Sequence, residues 1–491
     1  MRLTRDMEAV PGVSRAAAMM GTPANRALLE DAGLLTDEGS RAAPTDLLIA
    51  VAGGDEAAAH AAEAAARAAL SAHRAAAGPA GPRPRTLASA LRARPDATLA
   101  LISVPGPYAG AEALKALRAG LHVMLFSDNV PLETEIELKR FARERGLFLM
   151  GPDCGTAIID GVPLGFANAV PRGRIGLAAA SGTGLQEVTC LIARAGEGIS
   201  HAIGVGGRDL SDAVGGMMTE QALAALAADG ATEVIGVIGK PPGPSVTARL
   251  HDAVSRLGKR CVVHFVGEVA APAPTLGANV HVAPSLEDCA GAAVALARKE
   301  RPASTEFTLP AAEVQRLVEE AARPLKPGQR FVRGVYSGGT LAWEALSLLG
   351  ATLSDVAPDV TGGGSGHRVV DLGADIFTVG RPHPMIDGTV RREWIRKEGA
   401  DPSTAVVLLD VVLGYGAHAD PAGELLPAID EARAEARAHG RHLAVVASVT
   451  GTDADPQGRA GQAARLAAQG VAVMPSNAQA ARLAARVATG R

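Results

Sequence analysis

The sequence predicts an α/β chain: a string of doubly wound parallel-sheet domains preceded by a small N-terminal α/β module. Three observations carry this. At 491 residues the chain exceeds one ordinary core and implies about three or four domains. Its composition, 47% hydrophobic and 20% charged, is globular and excludes wholesale disorder. Along its length, short apolar runs alternate with amphipathic stretches, the pattern of parallel strands joined by crossover helices.

The elements follow in order. Residues 1–75 read as a small ferredoxin-like module. An apolar run at Ala16–Met20 leads to a helical stretch at Asn25–Ala32, and Asp46–Ala52 leads to an Ala-rich helix. The Pro, Gly and Arg of residues 75–85 mark a linker. Residues 86–168 alternate strand and helix, with helices expected at 109–119 and 132–145. In 169–300, strands are expected at 174–180, 201–205, 233–239, 261–266 and 279–283. A charged, Pro-bearing connector at 299–330 precedes a last α/β unit, 330–491. Its strands are expected near 368–372, 405–412, 442–448 and 471–474.

Several function classes are excluded. A formal charge of −4 leaves no basic footprint, and 3% aromatics leave no platform for stacking bases, so no nucleic-acid partner is expected. No run of about 18 apolar residues suggests a membrane span, and MRLTRDMEAVPG lacks the apolar core of a secretory signal. Cys154, Cys190, Cys261 and Cys289 are widely spaced, without zinc-ligand or disulfide patterning. The expectation is a soluble, cytoplasmic protein without a metal.

Two strand-to-helix turns carry the local chemistry. In RIGLAAASGTGLQEV, a strand runs into Ser181, Gly182, Thr183 and Gly184, then a helix. Small residues let backbone amides turn toward an anion, and the helix N-terminus adds partial positive charge. In LLDVVLGYGAHADP, Gly414, Gly416 and Ala417 follow an apolar strand, and Pro421 opens a helix. Each turn reads either as a phosphate site or as glycine used for tight packing. Two in separate domains can clamp one phosphoryl group.

SVPGPYA (103–109), MGPDCGT (150–156), AASGTGLQE (179–187), GVGGRDL (204–210) and VIGKPPG (237–243) resemble the succinyl-CoA synthetase alpha subunit. LLDVVLGYGAHADP and SVTGTDADP (448–456) resemble the ligase domain of its beta subunit. MMGTPAN (19–25), LFSDNVPLE (125–133), VGGRDLS (205–211) and VGRPHPMID (379–387) resemble the FdrA family, which joins these pieces in one chain. The resemblance implies a Rossmann-like, CoA-binding-like domain at 86–168 and flavodoxin-like ligase domains at 169–300 and 330–491. It implies that Ser181–Gly184 and Gly414–Ala417 hold a migrating phosphoryl group. It also implies that the stretch holding Val104, Pro105 and Tyr108 meets CoA, although the usual glycine-rich nucleotide loop is absent upstream. Tyr415 and His418 lie on the second turn as contact or surface residues.

Three departures bear on mechanism. The synthetase phosphohistidine segment is Gly-His-Ala-Gly, which EVAAPAPTLGANVHVAPS lacks; His281 falls in an expected strand. Lys240 replaces the glutamate that supports that histidine, and can instead hold a phosphate or carboxylate. No ATP-grasp domain fits in the length. The resemblance therefore implies direct carbamoyl or acyl transfer to and from phosphate, of the oxamate carbamoyltransferase type in allantoin breakdown, with separate partner subunits and oligomeric assembly. Alternatives are an ADP-forming acyl-CoA ligase subunit needing an ATP-grasp partner, which would take CoA, and a non-catalytic anion-binding scaffold.

Arg208, Lys240 and Arg381 are the candidate cations for an oxyanion. His383, held between Pro382 and Pro384 and flanked by Arg381 and Asp387, reads either as a general acid or base or as a packed histidine. Gly388 stands where the family resembles Pro. Cys154 reads as a small buried residue. Arg208 and Asp209 read as a salt-bridged pair or an anion site. Because FdrA-like chains resemble this one from a preceding strand onward, a strand encoded upstream of Met1 is expected.

Overall fold

Buried parallel strands read as continuous β-branched and aliphatic runs because both faces are covered; TAVVLLDVV (404–412) is such a run, and every residue of it is buried. The computed structural model describes residues 2–21, 25–26, 29–30, 32–43, 45–53, 55–75, 84–267, 279–360, 365–378 and 381–490. The linker at 76–83, the centre of MMGTPAN, the first two residues of VGRPHPMID and most of the segment matching the phosphohistidine loop lie outside them. The chain divides into two compact units, residues 1–95 with 379–382, and residues 96–378 with 383–491.

In the first unit, strands β1 (Val13–Met20) and β2 (Leu47–Gly53) pair antiparallel. Helices Arg2–Glu8 and Glu56–Ala75 pack on them around Met7, Ala16, Ala62 and Ala66. Alanines on the helices let them lie close to so small a sheet.

The second unit holds three sheets. Strands β3 (Leu99–Ile102), β4 (His122–Leu125) and β5 (Leu149–Met150) form a parallel three-stranded sheet. A hairpin of β6 (Thr156–Ile159) and β7 (Val162–Gly165) follows. It joins the next sheet rather than this one, because β6 pairs with β9. That sheet comprises β8 (Arg172–Ala179), β9 (Ile199–Gly204), β10 (Val234–Gly239), β11 (Arg260–Phe265) and β12 (Val280–Val282), in the order β12-β11-β10-β8-β9-β6-β7. The last sheet comprises β13 (Phe331–Tyr336), β14 (Val356–Asp359), β15 (His367–Asp371), β16 (Thr404–Val412), β17 (Ala444–Thr450) and β18 (Ala472–Met474), in the order β14-β15-β13-β16-β17-β18.

Both larger sheets reverse winding direction at their first parallel strand. The chain leaves β8 for β9 on one side, then returns to β10 on the other; β13 stands likewise between β15 and β16. Such switch points leave a crevice beyond the strand's carboxyl end. Helices Gly182–Arg194, Leu286–Ala297, Gly339–Gly350 and Asn477–Thr489 pack against one another in a single core shared by the two sheets.

Lys139, fully buried on helix Leu132–Glu144, ties that helix to the loop after β9. Its ammonium lies 2.8 Å from Glu135 Oε1 and 2.8 Å from Asp209 Oδ1, and donates to Val205 O at 3.0 Å. Three acceptors satisfy its three donors. Removing one partner of a buried pair strands the other charge, so Lys139→Ala is expected to cost about 3–5 kcal/mol. Lys115→Ala, which breaks only the exposed pair with Glu112, should cost less than about 1 kcal/mol. Calorimetric unfolding of the two variants checks the contrast.

Candidate active site at two opposed helix N-termini

The chain leaves β8 through Ser181, whose extended backbone caps helix Gly182–Arg194. Its hydroxyl accepts from Gly184 N at 3.0 Å and donates to Thr340 Oγ1 at 2.7 Å. That second bond runs from helix Gly182–Arg194, after β8, to helix Gly339–Gly350, after β13, so Ser181 clasps two helices together. The amides of Gly182 and Thr183 have no acceptor among the described residues, as expected at the start of a helix.

What faces this turn is Ser337-Gly338-Gly339-Thr340, at the carboxyl end of β13 and the start of helix Gly339–Gly350. A Cβ on Gly338 would stand 2.9 Å from Thr183 Cβ, and one on Gly184 2.9 Å from Thr340 Cγ2. The two helix N-termini therefore abut, and only glycine permits it. Asp410 on β16, fully buried, accepts from Ser337 N at 2.8 Å, Ser337 Oγ at 3.0 Å and Gly338 N at 2.7 Å. Arg391 anchors Asp410 in turn, at 2.9 Å. The amides of Gly339 and Thr340 have no acceptor among the described residues.

The turn holding Gly414, Gly416 and Ala417 is not the opposing N-terminus. Gly414 has φ +132° and a Cβ on it would stand 2.3 Å from Phe166 O; one on Gly416 would meet the Phe166 ring. Tyr415 N donates to Ala167 O, Ala417 N to Gly414 O, and Gly414 N to Gln457 Oε1. The amides of Gly414, Tyr415 and Ala417 thus serve protein acceptors, that of Gly416 has none among the described residues, and the glycines serve close packing. The following helix, Pro421–Ala438, is capped by Asp420. Tyr415 is exposed, and His418 Nδ1 accepts from Asp420 N. The turn that does face Ser181–Gly184 is marked in the sequence by a strand, two glycines, a threonine and an apolar helix, FVRGVYSGGTLAWEAL.

Charged groups gather near the 337–340 turn. A Cβ on Gly339 would stand 2.6 Å from Asp371 Oδ2, and Asp371 Oδ1 accepts from Gly373 N at 3.0 Å. Burial raises the Asp371 carboxyl to about 6, against the lowering effect of Lys240. Lys240 is exposed, with its ammonium 5.6 Å from the centre of the Trp343 ring. It also acts on Asp153, so it stands between these two acids. Asp153 is open to solvent, yet dense surrounding protein, Asp375 and Asp128 raise its carboxyl to about 7.

His383 is partly buried. Its Nδ1 accepts from Met385 N at 3.2 Å, which leaves the proton of the neutral ring on Nε2. Nε2 and Asp371 Oδ1 stand 2.8 and 3.2 Å from the point a Cβ on Gly373 would occupy. Burial lowers the imidazole to about 4, outweighing the pull of Asp128. The neutral ring thus presents its Nε2–H as a donor.

Arg208 is committed elsewhere. Its Nε lies 2.8 Å from Glu135 Oε2 and its Nη2 donates to Val130 O at 2.7 Å, so it props the Asp128–Val130 segment. Asp209 accepts from Thr219 N and Oγ1 and steadies the next helix. Cys154 is buried, its thiol raised to about 12 by burial, and is no nucleophile. Val104, Pro105 and Tyr108 are exposed at the start of helix Gly106–Arg118, which abuts Asp128 and Asn129 through Gly106. His281 stands in β12. Arg381 falls in the first unit. Among the described residues no group of three or more His, Cys, Asp or Glu can hold a metal, and no helix is long and apolar enough to cross a membrane.

Comparison with known proteins agrees with this architecture. Residues 335–487 match the model of the CoA-ligase family, and residues 1–84 match that of the AllF heavy metal-associated domain. The uncharacterized protein YahF of Escherichia coli (strain K12) is 38% identical over 487 residues, covering 97% of this chain and 93% of YahF. The chain belongs to the FdrA family. The mitochondrial succinate–CoA ligase [ADP-forming] subunit alpha-2 of Trichomonas vaginalis is 33% identical over 190 residues, covering 36% of this FdrA chain and 59% of that subunit. An apo acetyl-coenzyme A synthetase 1 structure from Ca. Korarchaeum cryptofilum covers 80% of this chain and 84% of its own, at 18% identity and TM-score 0.32. This FdrA protein is thus CoA-ligase-like and akin to succinyl-CoA synthetase. Residues 1–84, which match the AllF-type module, contain no cysteine.

The ring signals of His383 are expected to hold their neutral-form shifts from pH 8 down to about pH 5 by NMR, because its folded value lies near 4. A midpoint near the ordinary 6.5 would contradict the assignment. Since the folded imidazole binds protons less readily than the unfolded one, stability from this group is full above about 6.5 and lost as pH falls toward 4.

Proposed function

We propose that this FdrA protein binds a phosphoryl-bearing substrate between helices Gly182–Arg194 and Gly339–Gly350, and transfers a carbamoyl or acyl group to and from phosphate. One observation carries the reading: two helix N-termini abut, and the amides of Gly182, Thr183, Gly339 and Thr340 have no acceptors among the described residues. Both helix dipoles favour negative charge at that point, and fixed amides cost no reorganisation when an oxyanion forms.

No histidine occurs between His264 and His281, so the segment matching the phosphohistidine loop has no relay residue. Direct transfer is the chemistry that remains for such a clamp. In the oxamate carbamoyltransferase direction, the oxamate amide nitrogen attacks the carbamoyl carbon of carbamoyl phosphate. The carbon–oxygen bond to phosphorus breaks, phosphate leaves into the amide cradle, and the nitrogen's proton passes to a base. Asp371, near pH 6 in its titration and beside Gly339, suits the proton. The neutral Nε2–H of His383 suits the carbonyl oxygen, and Lys240 the acceptor's carboxylate. Partner subunits fit this reading, since the ligase relatives are themselves subunits. The match of residues 335–487 to the CoA-ligase family favours a second reading, a CoA-ligase subunit paired with an ATP-grasp chain.

Calorimetric titration separates the two. Carbamoyl phosphate and inorganic phosphate are expected to bind, and Gly338→Ala, which sets a methyl against Thr183, should weaken both at least about tenfold. Unchanged affinity in Gly338→Ala would contradict the clamp, and micromolar CoA binding would favour the ligase subunit.

A further inference from the structure

Thr156 opens β6, and only 2% of it is exposed. Its hydroxyl Oγ1 has no hydrogen-bond partner among the described residues. Buried hydroxyls are nearly always paired, because an unmade hydrogen bond in a dry interior is costly. Ser181, beside Gly182, bonds Thr340, and Thr189 on the same helix bonds Gln186 O; the hydroxyls of Tyr336, Thr404 and Ser448 share the unpaired state of Thr156 but lie on other strands. Valine has the same shape, suits a strand better, and would leave nothing stranded among Ala157, Ile158 and Ile159.

The position of the orphan explains it. A Cβ on Gly182 would have one heavy atom within 4 Å, and that atom is Thr156 Oγ1 at 3.9 Å. A methyl at 182 would rest at ordinary contact distance from the hydroxyl, so the hydroxyl faces the bare Cα of Gly182. Gly182 is the first residue of the helix whose leading amides lack acceptors. Thr156 otherwise uses its main chain: its carbonyl accepts from Cys154 Sγ at 3.6 Å, and it pairs with Gly165 in the hairpin. The hairpin sets the side chain; nothing in the protein uses its polar end.

We infer that Thr156 is a third arm of the anion site, its hydroxyl donating to an oxygen of the bound phosphoryl group beside Gly182. This rests on the phosphate clamp proposed above and adds a contact from a third element. Amides from two helices grip the anion from two sides, and the hydroxyl reaches it from the β6–β7 hairpin.

The test is the pair Thr156→Val and Thr156→Ser in the full chain, with inorganic phosphate as the probe. Without phosphate, Thr156→Val should unfold at the wild-type temperature or above, because it removes an unpaired hydroxyl. Its phosphate affinity should fall roughly ten- to a hundredfold, the loss of one hydrogen bond to a charged acceptor. Thr156→Ser should bind within about threefold of wild type. Wild-type affinity in Thr156→Val overturns this inference and leaves the clamp standing. A lowered unfolding temperature of ligand-free Thr156→Val overturns it too, since the hydroxyl would then serve the fold. Absence of phosphate binding by the wild-type chain overturns both.

Discussion

A buried polar clasp between the two larger sheets sets everything else in the site. Glu187, one turn into helix Gly182–Arg194, accepts from Thr450 Oγ1 and from Asn477 N. Asn477 donates to Glu344 Oε2 at 2.8 Å, and Glu344 Oε1 accepts from Leu286 N at 2.7 Å. Gln186 donates to Leu413 O, and Asp455 accepts from Asn168 Nδ2 and Ala169 N. Hydrophobic contact alone is non-directional and would let the halves slide. These paired groups admit one docking, and in that docking Thr183 meets Gly338 and Ser181 meets Thr340. Burial raises the Glu344 carboxyl to about 7, a sign of how dry the clasp is.

From that docking the chemistry follows. Each sheet ends its switch-point strand, β8 or β13, at a helix start, and the clasp turns the two starts toward each other. Asp410 takes the two amides nearest the β13 turn and so fixes its shape while leaving Gly339 and Thr340 free. Asp371, Lys240 and His383 then stand near the proposed anion site, and none of the three has an ion pair like that of Arg208 among the described residues. Burial raises the carboxyls of Asp153 and Asp371, so they oppose a bound anion less than ordinary aspartates would.

Much of the fold was legible because parallel strands announce themselves as apolar runs between amphipathic stretches. Expected strands at 201–205, 261–266 and 405–412 lie within a few residues of β9, β11 and β16. β13 escaped notice because Arg333 interrupts FVRGVY, and this arginine is buried only because Glu398 and Asp401 pair with it from a distant segment. With β13 obscured by its arginine, the turn that follows it is harder to read than the 414–417 turn, which follows the more apolar β16. The first turn was legible from Ser181-Gly182-Thr183-Gly184 alone. Docking was not, for Thr156, Asp371 and Asp410 matter only through residues far away in sequence. Arg208 looked like a free cation because Glu135, its partner, lies on another element.

The central claim is that phosphate sits at the helix starts after β8 and β13. Nitrogen-15 chemical shifts of glycine-labelled protein test it most directly, read while inorganic phosphate is added. Gly182 and Gly339 should shift together along one saturating curve, while Gly414 and Gly416 stay in place. Shifts at Gly414 and Gly416 with Gly182 and Gly339 unmoved would contradict the account.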